Sequence, residues 1–206
     1  MNEISNLPAH KARILFGQKK ISSTDLVKSC LKQYERHNSN VNAIVAIDLK
    51  DVLEQAKRCD EKISKGETLG LLHGLPVGIK DLQMVKNLRS TYGSLLFKDH
   101  VPKNDDNIVK NIREEGGIVF CKTNTPEFGA GANTKNRVYG ATGNPFQFDL
   151  TSAGSSGGSA AALSLNMISL ATGTDYGGSL RTPASFCGVT GFRPSPGMVP
   201  STEGIY

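Results

Sequence analysis

Residues 153–186 read AGSSGGSAAALSLNMISLATGTDYGGSLRTPASF. A Ser/Gly loop runs into a small-residue helix (153–167). A short apolar run follows as a buried strand (167–172), and a second Gly-Gly-Ser turn opens another helix (174–186). Upstream, LPVGIK (75–80) reads as a strand ending on Lys80. Asp106 to Glu115 places Ile108, Val109 and Ile112 on one helical face. Gly116-Gly117 breaks that helix, IVFCK (118–122) follows as a strand, and NTPEFGAGANT (124–134) is a Gly-rich loop. Strands alternating with helices after residue 70 predict an α/β fold, a sheet covered by helices. The first third is helical. One helix is expected over 8–18. A second starts at Ser22, whose acid three positions later (Asp25) makes a capping box, and ends at His37-Asn38-Ser39-Asn40. VNAIVAI (41–47) is a short β-rich run. A third helix covers 49–64, with Val52, Leu53, Ala56 and Ile63 on one face and Gly66 closing it.

The chain of 206 residues is long enough to bury a real core. Its 24 basic and 19 acidic residues leave a formal charge of +5, spread without a long basic run. With no Trp and few aromatics, this argues against nucleic acid as a partner. No stretch approaches the length of a membrane span, and residues 1–16 contain no apolar leader core. The four cysteines, Cys30, Cys59, Cys121 and Cys187, form no CxxC pair, so no metal site is expected. They read as reduced thiols of a cytoplasmic protein.

Glycines are numerous, 22 in all, and the chemistry concentrates where they do. In Asp175-Tyr176-Gly177-Gly178-Ser179 two glycines allow close backbone approach, and successive N–H groups near a helix start attract negative charge. Such a turn can hold a phosphate or an oxyanion, and Ser179 within it can be a nucleophile beside its own oxyanion hole. A lone Gly-Gly-Ser is ordinarily only a tight turn. Nucleotide binding is disfavoured, because 154–161 lacks both the phosphate-loop lysine and the GxGxxG spacing. Gly154-Ser155-Ser156-Gly157-Gly158 matches GxSxG at Ser156, but no histidine follows His100 to complete a hydrolase triad. His73 reads as a surface or loop residue. Cys121 and Cys187 lack a histidine partner as nucleophiles. Lys80 is the better base. A working pKa near neutrality requires a drop of about 3 units, roughly 4 kcal/mol, which burial at an apolar strand end can supply. Asp81 opposes that drop, but neighbours on a strand point to opposite faces.

Five segments in order, GLPVGIKD (74–81), TNTPEFGAGANT (123–134), GNPF (143–146), GSSGGSAAA (154–162) and GTDYGGSLRTPASFCGVTGFRPSPG (173–197), resemble the amidase signature family. The resemblance covers residues 70–203. It implies an α/β fold whose mixed β-sheet is covered by helices on both faces. It implies a hydrolase that cleaves carboxamides through a Ser–cis-Ser–Lys triad and an acyl-enzyme, without a cofactor. Carried onto this sequence, Lys80 is the base, Ser155 the bridging serine with a cis Gly154–Ser155 peptide, and Ser179 the nucleophile. The backbone of Tyr176, Gly177, Gly178 and Ser179 forms the oxyanion hole, and Ser156, Asp175 and Arg181 support the loop. Tyr176 stands where relatives carry a small residue, which is expected to narrow the pocket there. Family enzymes continue well beyond the segment matching 190–203. The chain is therefore expected to be a single domain, 1–206, with a helical segment (1–66) and a catalytic core portion (67–206) incomplete at its C-terminus. Its expected partners are a small-molecule amide, not a membrane, and a second copy or a missing C-terminal fragment. EFGAGANT and FRPSPG look nearer to general amidases. The alternatives are the glutaminase-type subunit of a tRNA-dependent amidotransferase and a catalytically silent remnant.

Overall fold

The structure, a computed structural model, describes residues 3–199. The expected family match over 200–203 and the end of the chain lie outside the described residues. The elements in order are α1 (Ala9–Gly17), α2 (Ser23–Val41), β1 (Ile44–Ala46), α3 (Leu49–Lys65), β2 (Pro76–Lys80), α4 (Asn107–Glu114) and β3 (Ile118–Thr123). They continue with β4 (Lys135–Asn136), β5 (Gly140–Ala141), α5 (Gly157–Ser164), β6 (Leu170–Ala171) and α6 (Arg181–Phe186).

The helical third forms for the reasons its sequence gives. Ser22 caps α2 by accepting from Asp25 N at 2.9 Å, while the Asp25 carboxylate takes the Ser22 N–H at 3.3 Å. The helix runs past the expected stop at Asn40 to Val41. Asn42 ends it in the left-handed region, φ 50°. The Asn38 side chain accepts from Ala43 N and Ile44 N at 3.1 and 2.8 Å, so it turns the chain into β1 from within the helix. Helix α3 closes on Gly66 at φ 70°, as its sequence predicts.

The main sheet has the order β1-β3-β2-β6. Strand β2 is parallel to both β3 and β6, and β1 is antiparallel to β3. The lower edge of β3 has a side chain for a partner. Gln55 of α3 donates to the Val119 carbonyl and accepts from the Val119 N–H, at 3.2 and 3.1 Å. One residue of β3 is extra: Val77 pairs with Val119 but Gly78 pairs with Cys121, so Phe120 bulges. Below the bulge Val119 faces α4. Above it the alternation is reset, and Lys122 lies beside Ile79.

Helices cover both faces, as expected. On one face Ile118, Phe120 and Cys121 pack with Leu26, Val27 and Cys30 of α2, Val52 and Ala56 of α3, and Ala160–Ala162 of α5. On the other, Val77, Ile79 and Val119 pack with Val109 and Ile112 of α4. Strand β6 is shorter than the expected 167–172. Met167 and Ile168 are buried in the core before pairing begins at Leu170.

The start of α5 is pressed against the ends of the strands. A Cβ on Gly158 would sit 2.3 Å from Asn124 N and 2.8 Å from the Ala43 carbonyl, both backbone atoms that cannot turn away. Around Gly177 a Cβ would meet nothing within 4 Å. Gly158→Ala is therefore expected to destabilise the chain by about 2–3 kcal/mol, as overpacking against rigid neighbours does. Gly177→Ala should stay within about 0.5 kcal/mol of the parent. Urea unfolding of the two variants checks the contrast.

Candidate active site

Lys80 is the last residue of β2 and is fully buried. Its amine donates to Ser155 Oγ at 2.6 Å, Ser156 Oγ at 2.9 Å and Thr174 Oγ1 at 2.7 Å. Ser155 and Ser156 lie just before α5, and the Gly154–Ser155 peptide is cis. Thr174 lies in the loop after β6. Two chain segments thus enclose the amine with three hydroxyls, and among the described residues no carboxylate touches it. Burial pushes the Lys80 amine down to about 7, against a smaller upward pull from Asp175.

The proton directions follow from the partners. Ser156 Oγ already donates to the Thr174 carbonyl at 3.3 Å and accepts from Thr174 N at 3.3 Å. Among the described residues the Ser155 and Thr174 hydroxyls have no acceptor other than that amine. An uncharged Lys80 has two N–H donors and one lone pair. The lone pair therefore takes the proton of Ser155 or of Thr174. Ser156 Oγ thus has partners besides the amine, whereas the Ser155 hydroxyl has that amine alone among the described residues. Thr174 was missed by sequence reasoning; its place two residues before Tyr176, in the Gly-rich turn, was the available signal.

The turn 175–180 is organised by Asp175. Its carboxylate accepts from Gly178 N at 2.8 Å, Arg181 N at 3.2 Å and Leu180 N at 3.3 Å. Arg181 grips it bidentately, Nε at 2.9 Å and the terminal nitrogen at 3.0 Å. The Arg181 guanidinium, helped by these backbone donors, holds the Asp175 carboxyl well below the usual carboxylate range. Arg193 approaches the same carboxylate at 4.0 Å.

This arrangement corrects one expectation for the oxyanion hole. The Gly178 N–H is engaged by Asp175, so it is not a free donor. Among the described residues the N–H groups of Tyr176, Gly177 and Ser179 have no internal partner. Tyr176 is 94% exposed, so none of the described residues packs over its ring. Ser179 is half-buried, and its carbonyl accepts from Ser156 N at 2.9 Å, which ties the two Ser/Gly turns together. No hydrogen bond joins Ser179 Oγ to Ser155 Oγ among the described residues. Lys80, Ser155 and Ser156 are thus brought into direct contact, whereas Ser179 is joined to them through backbone only.

Other nucleophiles and bases are removed by burial. Cys187 is buried and its thiol is pushed up to about 12; Cys121 is raised for the same reason. His73 lies in a turn before β2, in line with the loop expected there, but it is buried, with Nε2 3.1 Å from the Cys59 carbonyl. All four cysteines are free and buried. Among the described residues no helix is long and apolar enough to cross a membrane.

A domain model described as Amidase matches residues 25–205. The chain belongs to this family, the amidase signature family. Among curated proteins it is 40% identical to a glutamyl-tRNA(Gln) amidotransferase subunit of Clostridium botulinum (strain Alaska E43 / Type E3), over 98% of this chain and 42% of that protein. Among solved structures it resembles a bacterial aryl acylamidase of the amidase signature family, with a TM-score of 0.89 and 33% identity over 94% of this chain and 40% of that one. It also resembles fatty acid amide hydrolase, with a TM-score of 0.84 and 26% identity over 91% of this chain and 34% of that one. The chain spans about two-fifths of the length of the curated relatives it matches.

The buried amine leaves a thermodynamic signature. Between the folded value of about 7 and the unfolded value near 10.5, the unfolded chain binds one more proton at Lys80. Folding stability should therefore rise with pH across that window and be flat below it, by up to about 1.4 kcal/mol per pH unit. Denaturant unfolding from pH 6 to 10 is expected to show a slope more positive by this amount in the parent than in Lys80→Met, the buried thiols and Lys122 contributing alike to both. Equal slopes would mean that Lys80 folds in its charged form.

Proposed function

We propose that this chain carries the catalytic groups of an amidase that converts a carboxamide to a carboxylic acid and ammonia or an amine. Ser179 is the nucleophile, Ser155 the relay and Lys80 the base. The observation that supports this most is the Lys80 amine, buried among hydroxyls and, among the described residues, free of any carboxylate partner. Such an amine is uncharged over part of the neutral range and can accept a proton.

In this mechanism the Ser179 hydroxyl turns onto Ser155 Oγ as substrate enters. Contacts of this kind are commonly open in the free protein and tighten in the complex. The Ser179 proton passes to Ser155 as the Ser155 proton passes to Lys80, and Ser179 Oγ bonds to the amide carbon. The resulting oxyanion lies against the free N–H groups of Tyr176, Gly177 and Ser179, one such donor being worth about 2.7–4 kcal/mol. The proton returns through Ser155 to the leaving nitrogen as the C–N bond breaks. Water, deprotonated along the same path, then cleaves the Ser179 ester. The Asp175–Arg181 pair keeps the turn in shape and takes no proton. The second reading, a glutaminase-type subunit of a tRNA-dependent amidotransferase, is favoured by the name the curated relative bears. In that case glutamine is the amide, and ammonia passes to a partner.

A fluorophosphonate probe is expected to label Ser179, and Ser179→Ala to abolish labelling without loss of cooperative unfolding. Lys80→Ala and Lys80→Arg should each slow labelling at least about 100-fold, since arginine stays charged and cannot serve as base. Labelling mapped to Ser156 or Cys187, or a near-normal rate in Lys80→Arg, overturns the assignment. Ammonia release from simple amides supports the first reading. Release from glutamine that requires tRNA and a partner protein supports the second.

A further inference from the structure

A second buried lysine sits on the neighbouring strand. Lys122 of β3 is fully buried, and its amine lies 3.2 Å from Asp81 Oδ1. It also donates to Ser90 Oγ at 2.9 Å and to the Gln83 carbonyl. Three acceptors match the three protons of an ammonium. Asp81 is equally well served: Thr91 N donates to both carboxylate oxygens at 3.1 Å, and Thr91 Oγ1 donates to Oδ2 at 2.6 Å.

The two lysines are opposite in kind. Among the described residues the Lys80 amine has hydroxyl partners only; that of Lys122 has a carboxylate. They are also on opposite faces of the sheet. In the register above the Phe120 bulge Lys122 pairs with Ile79 and Thr123 with Lys80. Paired residues share a face and neighbours alternate. Asp81, next in sequence to Lys80, therefore goes with Lys122. The charged groups near Lys80 are Asp175 with its two arginines, Arg181 and Arg193; those near Lys122 are Asp81 and Asp106, with the Cys121 thiol alongside.

Gln83 connects the two sides. Its N–H donates to the Lys80 carbonyl at 3.0 Å, and its carbonyl accepts from Lys122. Its Oε1 accepts from Thr172 Oγ1, which itself accepts the Lys80 N–H at 2.9 Å. Both backbone polar groups of Lys80 are thus tied, within two steps, to the residue that Lys122 grips.

We propose that Lys122 and Asp81 are positioning residues for Lys80: their ion pair cancels the carboxylate that the sequence places beside the base and clamps the Lys80 backbone through Gln83. This rests on the reading of Lys80 as the base. Buried charge pairs seldom add stability over an apolar pair of similar volume. Two buried charges against the back of this site are accounted for by what they do to Lys80.

The test uses the full chain with lysines labelled at 13Cε and 15Nζ, read by NMR across pH. In the parent, Lys80 is expected to titrate near 7, and Lys122 to show an ammonium signal where Lys80 is already neutral. If Lys80 does not titrate in that range, the base assignment fails, independently of this proposal. Lys122→Met leaves Asp81 unpaired and should raise the Lys80 midpoint by about one pH unit. Labelling of Ser179 at pH 6 should then fall about tenfold. The double variant Asp81→Asn/Lys122→Met removes both charges and should return the midpoint to within about 0.3 unit of the parent. A purely structural role would not produce a shift that the second substitution cancels. An unchanged midpoint in Lys122→Met, or a double variant that stays displaced, overturns the proposal. If Lys122→Met does not fold, the parent and the double variant decide. A neutral Lys122 at pH 7.5, or a double-variant midpoint displaced by a full unit, overturns it as well.

Discussion

The Lys80 amine is kept out of water and, among the described residues, away from carboxylates, and the role proposed for it depends on both conditions. Burial supplies the first condition. The amine lies at the end of a central strand, under α5 and the loop after β6, fully shielded from solvent. Hydroxyls supply the second, because Ser155, Ser156 and Thr174 can partner either the neutral or the charged form without fixing a charge on it. Leaving such an amine unpartnered would cost free energy; partnering it with a carboxylate would hold it in the charged form.

Acidic groups nevertheless lie close by, and each has its own cation. Asp175 stands in the turn that carries Ser179, gripped by Arg181. Asp81 follows Lys80 directly and is paired with Lys122. In both cases the carboxylate also takes backbone N–H groups and so serves as a local organiser, shaping the 175–180 turn in one case and the 90–92 segment in the other. The same pairing that shapes the chain gives each carboxylate a cation other than the Lys80 amine.

The glycines of the site act by absence of bulk more than by unusual backbone angles. Gly157 and Gly158 let the first turn of α5 touch the ends of the strands. A Cβ at Gly157 would strike the hydroxyls of Thr134 and Ser152, and one at Gly158 the backbone of Asn124. That contact brings Ser155 and Ser156 within reach of Lys80. Gly177 leaves open space at the turn where the free N–H groups lie.

The sequence by itself determined the alternation of strands and helices, the Ser22 cap, the Gly66 stop and the clustering of chemistry in two Gly-rich turns, because each is a local pattern of spacing or of backbone freedom. It also singled out Lys80, since a lysine closing an apolar strand is marked by its immediate neighbours. The family resemblance, not the spacing, assigned Ser155 and Ser179 their roles. Only the tertiary structure decided the rest. Thr174 joins the amine, 94 residues away along the chain. The Gly178 N–H is taken by Asp175, and His73 is buried behind Cys59. Lys122 turns to Asp81 because a single bulged residue, Phe120, resets which side of β3 it faces. These outcomes depend on which surfaces meet and on which donors are already satisfied, and neither is written in the order of residues along one segment.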